Sequence, residues 1–327
     1  QNQEGALLLL RLLVAFGGPA EGERLVRAIR LPLLPDHQDW EEIFAEFTET
    51  HPAWPTVAAA LADPLPPGFI AIVFLDTLND LAVAGQLDRH PFAGEEGCRR
   101  LDGWLRSPRP ELYSYALSAT TALPFVGRRD RERLLPLARR HPDEEVRLEA
   151  AWVAAATGDE SGIRDLAGWA LDIRRSRQAC QYLHELQRED AIPETAKSPD
   201  FEAVAALTAW LALPEQFGAY PDRVEIVDRR ELFWPPAGER IELRLLHYSL
   251  EVDGYIEEGV GIVGEMTFAL LDEPTAELSH EDIYGLYCAW EMIYNNSPDA
   301  PEDWKPATGR AILARHNPGF PVRDEDE

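Results

Sequence analysis

Between Asp143 and Leu171 apolar residues return every third or fourth position, the spacing that lines one face of an α-helix. Leu148, Ala151, Trp152 and Ala155 make one stripe, with Glu144, Glu145 and Glu149 left for solvent. Gly158 stands where a helix end takes up the left-handed conformation, and Asp159 or Ser161 can cap the helix that follows. Ile163, Leu166, Trp169 and Ala170 form a second stripe, so the pattern predicts an antiparallel helix pair. Alone, such a pair leaves its outer faces bare.

The same plan recurs along the chain. Leu75–Gly85, Leu117–Gly127 and Leu148–Gly158 share one apolar pattern ending in glycine. Gly97, Arg99, Leu101, Gly103 and Trp104 align with Gly162, Arg164, Leu166, Gly168 and Trp169 at an offset of 65 residues. That offset equals two units of about 32 residues, a solenoid period. Units are expected at 68–106, 109–141, 143–171 and, divergently, 174–212. Pro124 should bend or end its helix. Before them, Pro19, Pro32, Pro35, Pro52 and Pro55 punctuate shorter helices predicted at 6–16, 21–30, 40–50 and 55–62.

After Pro214 the period changes to alternation. Val224–Phe233 and Ile241–Val252 read as strands, and Asp253-Gly254 as a two-residue hairpin turn into a third run, Tyr255–Leu271. Ser279-x-x-Asp282 has the form of a capping box, opening an amphipathic helix through Ile283, Leu286, Tyr287, Trp290 and Ile293. A last short helix is expected near Thr308–Arg315, and Asp324–Glu327 as a disordered acidic tail.

Val146-Arg147, Ala150-Ala151, Gly158-Asp159 and Leu166 resemble the bacterial HEAT-repeat pattern, the kind also found in the HEAT-like repeats of phycobilin lyases. The resemblance is good in one repeat, degenerate in about three others and absent after about residue 214. It implies a mainly α protein, an α-α superhelix (solenoid) over 1–214, whose concave face holds another macromolecule. It implies no catalytic residues, because the motif positions are packing positions. Residues 215–327 then form a small α+β module with an antiparallel sheet.

Charge narrows the partners. The 31 basic and 58 acidic residues give −27, which argues against nucleic acid and anionic membranes and makes a basic protein the easier partner. Residues 215–327 carry 9 basic and 25 acidic side chains, net −16, against −11 for 1–214, so acidity concentrates in the module. Cys98, Cys180 and Cys288 form no CxxC and point to free thiols in a reducing, cytoplasmic compartment. Ala6–Phe16 is apolar enough for a signal core, but Glu4, Arg11 and the lack of a preceding basic residue make it a first solenoid helix.

Candidate chemistry is sparse. Gly259-Val-Gly261-Ile-Val-Gly264 satisfies GxGxxG, yet acidic Glu257 and Glu258 precede it and a strand follows, so close strand packing explains it better than a nucleotide. His51, His90 and His141 each precede a proline at a helix boundary, a structural position. His37 beside Asp36 and Asp39, and His280 beside Glu281 and Asp282, read as caps before metal ligands. Arg128, Arg129, Arg131, Arg133, Arg139 and Arg140 form the one basic cluster, which can grip an anion or simply pair with Asp130, Glu132, Asp143 and Glu144.

These residues point to a protein-interaction scaffold with no cofactor, no metal and no catalytic residue assigned. Its partner-binding candidates are Trp40, Trp54 and Trp234, placed at loops or strand ends, with Arg128, Arg129, Arg131, Glu257 and Glu258. Trp104, Trp152 and Trp169 are expected in the core. Two alternatives stand: a lyase or isomerase resembling the phycobilin lyases, which needs two carboxylates and a histidine in one deep pocket, and an acidic inhibitor of a basic protein.

Overall fold

Asp143 caps the helix Glu144–Ala156 in the computed structural model, its carboxylate accepting from the N–H groups of Glu145 (2.9 Å) and Val146 (3.1 Å). Gly158 follows at φ +89°, a left-handed conformation that suits glycine. Asp159, not Ser161, then caps the next helix by accepting from Ser161 N–H at 2.9 Å. The structure describes residues 2–31, 38–47, 50–252, 254–269 and 278–321. Pro32, Pro35, Asp36, His37, Asp253, Leu271 and the tail Asp324–Glu327 lie outside them.

By packing, the chain divides into two compact units, Gln1–Leu166 and Ala167–Glu327. The first holds α1 (Asn2–Ala15), α2 (Pro19–Ile29), α3 (Asp39–Ala45), α4 (Trp54–Ala62), α5 (Gly68–Val83), α6 (Glu95–Leu105), α7 (Tyr113–Thr121), α8 (Arg128–Ala138) and α9 (Glu144–Ala156); α10 (Glu160–Trp169) runs across the division. Pro124 sits in a short 3₁₀ turn just past the end of α7, as its ring dictates. Helices pack both on sequence neighbours, α1 on α2, α6 on α7 and α8 on α9, and on the next but one, α1 on α3, α3 on α5, α5 on α7, α7 on α9, α2 on α4 and α6 on α8.

The aligned positions of α6 and α10 have matching surroundings. Leu101 and Leu166 are fully buried, and Trp104 and Trp169 half-buried. A Cβ on Gly97 would overlap the Phe92 backbone and one on Gly162 the backbone of α9, whereas Gly103 and Gly168 face open space. Glu149 departs from expectation: it is buried, and Thr121 Oγ1 donates to it at 2.9 Å. Periodicity assigned it to solvent because the neighbouring helix that supplies Thr121 was not visible in the local pattern.

The three His-Pro pairs do one job. Nδ1 of His51, His90 and His141 each accepts, at 3.2 Å, the N–H two residues on, from Ala53, Phe92 and Asp143. Proline at the intervening position has no N–H to compete. With Nδ1 an acceptor, Nε2 carries the proton, facing the Val14 carbonyl at 2.9 Å in His51 and Asn79 Oδ1 at 3.2 Å in His90.

Among the described residues of the second unit α11 (Ser176–Glu185) and α12 (Pro199–Leu211) precede four strands, β1 (Arg223–Trp234), β2 (Glu239–Val252), β3 (Tyr255–Val263) and β4 (Thr267–Ala269), then α13 (His280–Tyr294) and α14 (Pro306–His316). The strands form an antiparallel meander in sequence order, with a register shift between Ile226 and Asp228. Alternation along β2 sorts its side chains. Leu243 and Leu245 join Tyr284, Tyr287 and Leu313 in a core with α13 and α14, while Leu246, Tyr248 and Leu250 join Leu207 and Leu211 of α12.

Ser279 and Asp282 form the predicted capping box, and Arg310 of α14 pairs with the same Asp282. The GxGxxG stretch lies along β3 and its turn into β4. A Cβ on Gly261 would stand 2.6 Å from Leu207 Cδ1, so the glycine lets α12 close on the sheet. Among the described residues no helix is long and apolar enough to cross a membrane.

Candidate functional site

A cleft of about 820 Å³ opens within the second unit between α11, α12 and the sheet. Helical spacing brings Ser176, Cys180 and His184 of α11 to one wall. Ala203, Ala206 and Ala209 of α12, with Val263 of β3, give a floor of short side chains. Glu202 rises from α12, Glu242 from β2 and Glu265 from the turn after β3, all exposed at the rim.

Its one buried cation is already spoken for. Arg244 Nε donates to Asp200 Oδ1 at 2.8 Å, and its Nη2 lies 3.0 Å from Glu242. Asp200 also takes Arg229 in a fork, at 3.1 and 2.8 Å, and the two guanidinium groups hold its carboxyl down at about 2. Arg244 therefore anchors α12 to β2 and offers an incoming anion little. Cys180 stays a thiol, because partial burial pushes it up and the Ser176 hydroxyl, 4.0 Å away, offsets only part of that.

No family model, curated protein or solved structure matches this chain.

The sequence candidates fall elsewhere. Trp40, Trp54 and Trp234 are buried, so none presents a ring to a partner. Trp54 packs on Phe47 and Phe74, with centroids at 5.2 and 6.1 Å, and Trp234 donates its Nε1–H to Glu291 at 2.7 Å inside the core. Position near a loop misled here; Trp234 is two residues from Leu232, so strand alternation turns both to the same buried face. Trp104, Trp152 and Trp169, expected in the core, are half-buried, and Trp104 and Trp152 pack against the core of the first unit.

Arg128 pairs with Glu132 one turn on at 2.8 Å, Arg131 donates to the Pro124 carbonyl at 3.3 Å, and Arg129 is exposed on the same helix. Arg133 reaches Asp102 (2.5 Å) and Asp130 (3.4 Å), so much of the cluster is engaged by carboxylates. Glu257 and Glu258 are exposed on β3 opposite Leu250 and Ser249, outside the cleft. Among the described residues, no three His, Cys, Asp or Glu side chains are grouped to hold a metal ion.

The first unit carries an acidic feature of its own. Asp76 of α5 reaches solvent yet stands deep enough among the helices to lose hydration, which pushes its carboxyl up to about 6; Asp80 and Glu41 of α3 add to the rise. Asp80 is raised by burial too. Aspartates one turn apart mark this face in sequence, but Glu41 joins them only through the packing of α3 on α5.

Proposed function

We propose that this protein is an interaction scaffold whose second unit seats a basic segment of a protein partner in the cleft between α11, α12 and the sheet. The observation that carries this reading is the cleft's charge: the exposed carboxylates Glu202, Glu242 and Glu265 stand above an alanine floor against one exposed cation, Arg177, while the buried Arg244 is paired with Asp200 and Glu242. An aliphatic lysine or arginine stem fits the short floor while its head meets a carboxylate. In this proposal the first unit is a HEAT-like superhelix, a reading supported by its next-but-one packing and by the like surroundings of α6 and α10. Its Asp76, Asp80 and Glu41 face extends the preference for basic partners, and free thiols fit a reducing, cytoplasmic setting.

The enzymatic alternative asked for two carboxylates and a histidine in a deep pocket. The cleft has those residue types, but it is broad and open, and His184 is engaged with Glu189 at 3.2 Å. The scaffold reading needs no such convergence.

Fluorescence anisotropy with a labelled peptide of alternating lysine and alanine tests it. Binding is expected to weaken about tenfold in Glu202→Gln/Glu265→Gln, the loss of roughly 1.4 kcal/mol, and to fall with added salt. Equal binding of a glutamate-containing control peptide, or no change in the double variant, would remove the proposal.

A further inference from the structure

Glu291 lies in the last turn of α13, where the helix dipole is negative, and no basic side chain shares that turn. It is buried, with 7% of the residue exposed. One oxygen, Oε2, accepts the Trp234 Nε1–H at 2.7 Å; among the described residues the carboxylate has no other hydrogen-bond donor and no cation. The buried arginines of this unit differ, since Arg244 and Arg310 each face a carboxylate. Burial pushes the Glu291 carboxyl up, the indole N–H draws it partway back and nearby Glu265 adds to the rise. A neutral donor thus answers a charge that a second carboxylate opposes.

Glu291 lines a crevice of about 10 Å³, bordered by the exposed Glu265 and Met266 and, within, by Trp234, Ile262 and Phe268. Roughly 10–15 Å³ is the room that one water-sized group needs. We propose that this crevice seats a primary ammonium group, the head of a lysine or of a small free amine, between Glu291 and Glu265. An ammonium is a compact charge with rotatable N–H donors on an aliphatic stem, so its head is drawn to both carboxylates while the stem lies along apolar wall. The aromatic lining suits the same charge. A guanidinium is planar and larger, and a hard metal cation asks for about six oxygens where the crevice offers two carboxylates. Gly264 and Glu265 border the peptide cleft as well, but the crevice lies on the face of the sheet packed against α13, so the assignment does not rest on a segment seated in the cleft.

Heteronuclear NMR of the indole N–H groups in the full chain tests this, the Trp234 signal being identified by its loss in Trp234→Phe. Methylammonium chloride, exchanged for sodium chloride at constant ionic strength, is expected to give a saturable shift of that signal, and guanidinium chloride none. Glu291→Gln keeps an acceptor for the indole and is expected to weaken methylammonium about tenfold, through loss of a charged acceptor. Glu265→Gln, at the exposed side, should weaken it about threefold. A lysine-alanine peptide that shifts the same signal assigns the ammonium to a lysine, and a shift with methylammonium alone assigns it to a free amine. The absence of a saturable shift, an equal shift with guanidinium, or binding unchanged in either variant overturns the site. A methylammonium shift that persists where no peptide binds the cleft would remove the cleft reading and leave this one standing.

Discussion

His90 shows how much one side chain does in the first unit. Its ring is buried, accepts the Phe92 N–H, faces Asn79 and stacks on Phe125 with centroids 5.8 Å apart. Burial lowers its pKa to about 4. Between about 6.5 and 4 the unfolded chain binds a proton that the folded chain refuses, so this stability is full above 6.5 and is lost as pH falls through that window. The shift corresponds to about 3 kcal/mol. His141, lowered by burial as well, acts in the same direction. Asp76, raised to about 6, acts oppositely, favouring the fold as pH falls from 6 toward 3.8, but its solvent contact screens the effect. In His90→Asn, whose side-chain oxygen can still accept the Phe92 N–H, urea unfolding should show a flatter pH dependence from 6.5 to 4 than the unaltered chain. Parallel curves would mean that other groups carry the acid sensitivity.

At the scale of elements, α13 and α14 cross where two glycines meet. A Cβ on Gly309 would overlap the Gly285 carbonyl, and one on Gly285 would crowd Arg310 and the Pro306 carbonyl. This close approach brings Arg310 to Asp282, which also accepts from Ser279 and so joins the α13 cap to α14. Gly309→Ala should cost about 3 kcal/mol in urea melts, the upper end for overpacking, despite alanine's better helix propensity. A loss under 1 kcal/mol would show that the crossing relaxes easily. The elements themselves were legible: the capping box, the alternating strands and the 158–159 break follow from local spacing and turn chemistry. The Gly285–Gly309 crossing was not, since neither glycine signals a contact until two helices are placed side by side.

For the whole molecule, net charge and architecture meet. Carboxylates outnumber cations in both halves of the sequence, and the ion pairs that do form are largely exposed, such as Arg128–Glu132 and Arg99–Glu95, each contributing little. Self-repulsion is the larger effect, so raising sodium chloride from 0.1 to 0.5 M should raise Tm by about 2–5 °C. A falling Tm would place the balance with the ion pairs instead.

Sequence by itself determined the mainly helical character, the shift to an antiparallel sheet after about residue 214, the structural use of the three His-Pro pairs and the acidic surface, because each is written in spacing, turn residues or a charge count. Tertiary structure alone decided which tryptophans are buried, that Glu149 turns inward to Thr121, and that residues as distant as Ser176 and Thr267 line one cleft. The reason is physical: periodicity records one face of one element, whereas burial and convergence depend on which other face is laid against it.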